Sequence, residues 1–376
     1  MQRRRLGLVA TLIVAASFGS NALAADMPLK APPIPPPVEA GTFYFEGDGS
    51  YRRVPLPSYG LGIQFTNLNA NPTPATGATD PFDPRAQGAG GNLRLGYIFR
   101  DGTFPAMFGS NVRLEGGASY FDAKTNQLHA SAPQGGCCGG NGVGYVPLML
   151  NGTFTDDFSC APATPCSTSA SLATQFQSWR GELKALSDFK SGQVTLTPSA
   201  ALFVARSRTN QQLSQALFNS FLGVNEDFYS ANTSLRWTDW GAMVGLKSKV
   251  DLTPWLSAVL GGQLGFAARN TSLFGADSYT VPTFPASNTA TAIAVSATTT
   301  PFLANAEASI ILKPTSTFFV RGFAGLDYDS RVPGILAPTA SRVQLGNGIT
   351  TPAGIKYASE TSYYAGAGIT VLFASR

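Results

Sequence analysis

The stretch DWGAMVGLKSKV (residues 239–250), followed after a short break by LSAVLGGQLGF (256–266), decides the fold class. In the first run Trp240, Val244, Leu246 and Val250 alternate with Asp239, Lys247 and Lys249. In the second, Leu256, Ala258, Leu260, Leu264 and Phe266 alternate with Ser257 and Gln263, and Arg269 continues the polar phase. A period of two places successive side chains on opposite faces of a strand. Each run therefore carries one oily face and one polar, charged face, and Asp251 to Pro254 is a turn between them.

Reading outward in both directions finds the same pattern eight more times. Phe43, Phe45 and Tyr51 oppose Glu46, Asp48 and Arg52. Leu93, Leu95, Tyr97 and Phe99 oppose Asn92, Arg94 and Arg100. Val112, Leu114 and Tyr120 oppose Arg113 and Glu115, and Trp179, Leu183 and Ala185 oppose Arg180, Glu182 and Lys184. The run 193–208 alternates less cleanly and contains Pro198, a residue suited to an edge, a bulge or a strand end. Phe302, Ala304, Ala306, Ile310 and Leu312 oppose Asn305, Glu307 and Lys313. Phe318, Val320, Leu326 and Tyr328 oppose Arg321, Asp327 and Asp329, and the last run carries Tyr363, Ala365, Ala367, Ile369, Val371 and Phe373. Ten strands is an even number.

The links alternate too. Short ones fall at Asp101 to Phe108, Asp188 to Gly192, Asp251 to Pro254 and Pro314 to Thr317. Long ones run about Pro55 to Gly88, Ala123 to Ser171, Thr209 to Glu226, Ser272 to Thr299 and Val332 to Gly354. Short turns on one side and long loops on the other predict an all-β, antiparallel transmembrane barrel with periplasmic turns and outer loops. A soluble β-sandwich also alternates. It does not require charge on nearly every inward face.

The ends of the chain place it. Arg3, Arg4 and Arg5, the apolar run Leu6 to Ala16 and the small residues ending Ala22-Leu23-Ala24 read as a signal peptide over 1–24. The apolar run is too short for a spanning helix, which needs about 20 residues. Removing the leader takes three of the 26 basic residues, so the formal charge falls from +4 to +1 and no basic run remains for nucleic acid. Lys30-Ala31-Pro32-Pro33-Ile34-Pro35-Pro36-Pro37 makes 25–40 an extended, proline-rich periplasmic tether. The barrel occupies 41–376.

The segment Ala25-Asp26-Met27-Pro28-Leu29-Lys30-Ala31-Pro32-Pro33 resembles the post-signal segment of alphaproteobacterial (rhizobial-type) surface barrels and porins, and 240–266 resembles pore-forming barrels first described in legionellae. The aromatic and glycine-rich opening of the small brucella-type surface antigens is missing after Gly41. Gly366-Ala367-Gly368-Ile369-Thr370-Val371-Leu372-Phe373 resembles the terminal strand signal of outer-membrane barrels, which implies the barrel-assembly machinery as a partner through Phe373. Outer-membrane lipid is the other expected partner. Oligomeric state stays open.

The candidate sites follow from the strand directions. Arg100, Arg113, Lys184, Lys247, Lys249, Lys313 and Arg321 form an expected basic ring in the periplasmic half of the lumen, and Glu115, Glu182, Asp239, Glu307 and Asp327 an acidic layer nearer mid-height. Ten strands lie close to the width that side chains fill, so the lumen is expected to be closed or very narrow. Cys137, Cys138, Cys160 and Cys166, all in one exported link, are disulfide candidates. Their spacing lacks zinc-ligand geometry, and neither metal nor cofactor is expected.

His129-Ala130-Ser131 resembles the active pair of outer-membrane lipid A deacylases, but it is read here as part of a glycine-rich loop. Asp327 and Asp329 resemble a carboxylate pair of the omptin surface proteases, without the D-x-H those enzymes carry. The functional expectation is a non-enzymatic narrow pore or structural surface barrel. A loop-based receptor or adhesin is the alternative, and a barrel enzyme of the deacylase or omptin kind comes third.

Overall fold

The computed structural model describes residues 41–59, 63–66, 73–74, 82–99, 103–134, 143–146, 149–153, 166–219, 225–282, 285, 288–340 and 350–373. The leader, the tether, Arg100, Cys137, Cys138 and Cys160 lie outside this set, and of Cys166 only the backbone belongs to it.

Among the described residues sixteen strands run in chain order: β1 (Thr42–Pro55), β2 (Ile63–Thr66), β3 (Thr73–Pro74), β4 (Arg85–Ile98), β5 (Ser110–Gln134), β6 (Val143–Val146), β7 (Cys166–Ser191) and β8 (Val194–Asn219). They continue as β9 (Asn225–Thr253), β10 (Leu256–Thr280), β11 (Thr289–Thr299), β12 (Phe302–Leu312), β13 (Phe318–Leu336), β14 (Thr339–Ala340), β15 (Thr350–Thr351) and β16 (Gly354–Phe373).

The sheet closes on itself. Its neighbours run β1, β4, β5, β7, β8, β9, β10, β12, β13 and β16, and β16 pairs back onto β1 from Phe43↔Phe373 to Arg53↔Tyr363, every pair antiparallel. This is a ten-stave antiparallel transmembrane barrel. β11 is the outer half of the eighth stave, pairing with β10 over Arg269–Tyr279 and separated from β12 by Thr300 and Pro301. Pro198 sits inside β8 near its turn: opposite it, the β7 ladder skips from Leu186↔Ser199 to Phe189↔Leu196, where proline offers no amide to donate. The short links gather at one end with both ends of the ring. One of them is a two-residue turn in which Gly192 takes a positive φ of 61°.

The ladders fix the barrel's dimensions. Following one row of partners from Thr197 through Lys247, Gly261, Glu307, Gly325, Tyr364, Arg52, Gly88, Ala123 and Phe176 leads back to β8 at Thr209. The row returns twelve residues further along the strand. With about 3.3 Å of rise per residue and 4.8 Å between strands, that stagger gives a tilt of about 40°, a backbone radius of about 10 Å and about 2.5 Å of height per residue.

On this scale the outward aromatics form two rings. Tyr51, Tyr120, Trp179, Trp240, Phe266, Phe302 and Tyr363 lie at one level; Phe43, Tyr97, Phe189, Trp255, Phe318 and Phe373 lie about 24 Å below, matching the apolar band of about 25 Å between the aromatic girdles of membrane barrels. Between them the exposed residues are oily, including Leu183 at 51%, Leu246 at 52% and Leu264 at 52% exposure. Such a surface is incompatible with water over most of its circumference. The band is the lipid-facing wall.

Above the upper ring the pattern inverts without any change of register. On β9, Trp240, Val244 and Leu246 face out within the band while Asp239 and Lys247 face in. Higher up, Ser230, Asn232 and Arg236 face out while Tyr229, Ala231, Leu235 and Trp237 are buried inside. Staves β5, β7, β8 and β10 extend into the links expected to be loops, and the upper end of β9 lies about 40 Å above the upper ring. The outer barrel has an apolar core like that of a soluble protein, so its strands continue past the point where the oily-out pattern stops.

The lipid face is tested by charge. Leu246→Arg, near the middle of the band, is expected to cost about 2–4 kcal/mol of stability, and Ser230→Arg, above it, about 0–1 kcal/mol. Urea unfolding from lipid vesicles, read with heat-modifiable gel migration, measures both.

Candidate functional site

The lumen is crossed by three tiers of charge, each built from inward positions on neighbouring staves. The middle tier is the densest. Arg94 on β4 meets Glu46 on β1 at 2.8 Å and Glu115 on β5 at 3.7 Å. Lys184 on β7 meets Glu182 at 3.1 Å and Glu115 at 3.9 Å, and Arg180 reaches Glu182 at 3.2 Å. Arg321 on β13 binds Glu46 and Asp48 at 3.0 Å each and Glu307 on β12 at 3.2 Å. The Tyr44 hydroxyl donates to Glu115 at 2.8 Å, and that of Tyr364 to Glu307 at 3.4 Å.

By the ladder geometry these carboxylates, together with Arg94, Lys184, Lys247 and Arg321, occupy a slab about 10 Å high, midway between the aromatic rings. Lys184 is only 4% exposed and Arg321 9%. Their ion pairs join staves that are adjacent or one apart, running from β12 and β13 through β1, β4 and β5 to β7. They form a continuous ion-paired cluster along that arc of the lumen wall.

The lower tier lines the periplasmic mouth. Arg113 pairs with Asp188 at 2.9 Å, and Lys313 and Lys249 flank Asp251 at 2.7 and 3.4 Å. The upper tier lies near the outer aromatic ring. Arg52 binds Asp327 at 2.6 Å and stacks over Tyr364 at 4.8 Å. Arg269, 2% exposed, grips Asp239 through two bonds of 2.7 Å, reaches Asp329 at 2.7 Å and donates to the Arg331 carbonyl at 2.6 Å.

The expected ring and layer are thus interleaved. Lys184 and Arg321 share a level with Glu115, Glu182 and Glu307 and are bonded to them, whereas Arg113, Lys249 and Lys313 lie lower and Asp239 and Asp327 higher. Lys247 faces the middle tier, with no carboxylate at ion-pair distance among the described residues. The sequence reading put Arg94, Glu46 and Asp48 on the inward face but left them out of the ring and layer. Their heights depend on the stagger of distant staves, which no local pattern carries.

Above the charge, the outer lumen is corked by apolar side chains. Leu56, Tyr59, Phe82, Met149, Leu150 and Ala353 come in from the links and pack on Leu172, Leu213, Leu235, Leu273 and Tyr279 of the staves. Asp277 anchors the cork, accepting from the Leu150 amide at 2.6 Å, from Tyr229 at 3.0 Å and from Thr291. Burial, and the charge of Asp277, hold the Tyr59 phenol above its usual range. Below the cork, and reaching into the middle tier at Arg94, Lys184 and Lys247, lies a cavity of about 330 Å³, lined also by Arg52, Asn92 and Trp237.

Asp327 and Asp329 are each held by an arginine, Arg52 and Arg269. His129 and Ser131 lie in β5, opposite Ala170 and Thr168 of β7, and not in a flexible loop. Glycines 135, 136, 139 and 140, which suggested the loop, follow the strand end. Among the described residues no group of three or more His, Cys, Asp or Glu side chains is placed to hold a metal.

A closed ring, an oily exterior between aromatic girdles and a charged lumen define a β-barrel of the outer-membrane class. The fold is similar to that of the outer membrane protease OmpT from Escherichia coli, at 7% identity and a TM-score of 0.40 over 88% of this chain and 97% of that one. It is also similar to the translocator domain of the autotransporter NalP from Neisseria meningitidis, at 12% identity and 0.29 over 86% and 87%. A third is the COG4313 outer membrane channel from Pseudomonas putida F1, at 9% and 0.27 over 93% and 100%. No family model and no curated protein sequence matches the chain.

Removing one partner of a buried ionic group leaves the others uncompensated, at a cost of about 3–5 kcal/mol. Arg269→Met, which strands Asp239 and Asp329, is therefore expected to destabilise the barrel by about that amount. The urea midpoint in vesicles should fall accordingly, while Arg53→Met, exposed on the outer face of β1, should leave it nearly unchanged.

Proposed function

We propose that this protein is an outer-membrane β-barrel with a closed or very narrow lumen, serving as a structural surface protein and not as an open diffusion pore or an enzyme. One observation carries the reading: the ion-paired cluster of Arg94, Lys184 and Arg321 with Glu46, Asp48, Glu115, Glu182 and Glu307 stands at mid-membrane in a barrel of ten staves. The apolar cork supports it by closing the same lumen from above. The leader over 1–24 accounts for export, the strand ending at Phe373 for delivery to the assembly machinery, and the Ala25 to Pro33 resemblance for an alphaproteobacterial origin.

Planar-bilayer recording tests the proposal. The native protein should give no large, stable single-channel steps. Arg94→Ala combined with Arg321→Ala leaves the five carboxylates of the cluster facing only Arg180, Lys184 and Lys247, so any current that this variant opens should favour cations. That preference should fade near 1 M salt, where the Debye length is about 3 Å. Large, steady currents through the native barrel would defeat the reading.

A further inference from the structure

Three arginines stand on the outward face just above the upper aromatic ring. Arg206 and Arg208 are successive outward positions on β8, and Arg236 is the direct ladder partner of Arg208 on β9. All three are exposed. The register sets Arg206 beside Trp179 of the ring, and the same stagger puts the three at about 4–12 Å above that ring.

Their bonds are to neutral groups only. Arg208 donates to Asn210 at 2.6 Å and Ser234 at 3.2 Å, and Arg236 donates to Ser234 at 3.3 Å. None of the three has an ion pair among the described residues. Asp122 lies in the same row, two staves from Arg208, and accepts from Gln175 at 3.1 Å. Lys124, one outward position higher on β5, adds a fourth cation to the face.

Like charges directly opposite each other on one face of a sheet repel. Arginine's planar fork, however, matches phosphate oxygens bidentately, and several forks converging on one group make a strong anion site. The height decides which anion. The oily band ends at Trp179 and Trp240, and the first layer beyond it is where lipid headgroups lie.

From this placement we propose that Arg206, Arg208 and Arg236 form a binding site for the phosphate of an outer-leaflet lipid headgroup, with Trp179 and Trp240 against the start of its chains. The site lies on the outer wall, so it is independent of whether the lumen conducts.

The test uses the full barrel folded in detergent micelles, with bisphosphorylated lipid A as probe. The native protein should retain the lipid through gel filtration. Arg206→Ala with Arg208→Ala and Arg236→Ala should bind it at least tenfold more weakly while keeping heat-modifiable migration. Lipid A stripped of phosphate should bind as weakly to the native protein, and millimolar inorganic phosphate should not displace the intact lipid. Should the triple variant not fold, Arg208→Glu alone is expected to give the same loss. Unchanged affinity in the folded variants, or equal binding of the dephosphorylated lipid, would overturn the proposal. Displacement by inorganic phosphate would overturn its assignment to a lipid.

Discussion

A sheet can become a barrel only if its first and last strands meet in register, and here they meet after a stagger of twelve residues. With ten staves that offset fixes the tilt and a radius of about 10 Å. Much of the remaining structure follows from the radius. The lumen is too narrow to leave long side chains separately solvated and too wide to be filled by alanine and glycine, so arginines and lysines entering from one wall end beside carboxylates from another. Arg321, for example, bridges β13 to β1 and β12. Desolvation of these groups is costly, and an apolar filling of equal volume could be as stable. What the ion pairs add is a definite partner for each stave's inward face.

The wall is read by two solvents. Between the aromatic rings, lipid selects oily residues outside and the lumen tolerates charge. Above them, water takes the outside and the apolar cork the inside. Because the strands run straight through the boundary, the same alternate positions exchange roles at about the level of Trp237 and Trp240 on β9. A barrel that stands about 40 Å above the membrane therefore has a membrane-type half and a soluble-type half in one continuous sheet.

The sequence made much of the lower half legible. Oily alternation from Phe43 to Phe373, a charged opposite face and short turns at one end were sufficient for ten antiparallel staves, and the structure has them. The same rule failed above the girdle. β11, and the outer parts of β5, β7, β8 and β10, were assigned to links because their outward residues, such as Gln212 and Ser214 on β8 and Ala290 and Ser296 on β11, are polar or small and the expected oily face had vanished. His129 and Ser131 fell on the wrong side of that boundary for the same reason.

What the sequence determined by itself was local: the strand period, the face each side chain takes, the turn positions and the membrane-facing chemistry, since each depends only on a residue and its near neighbours. Height was different. That Arg94, Lys184 and Arg321 share a level with Glu46 and Glu115, that Asp329 falls to Arg269, and that Arg208 faces Arg236 depend on the register between staves far apart in the chain. Backbone pairing around the whole ring sets that register, and only the closed tertiary structure contains it.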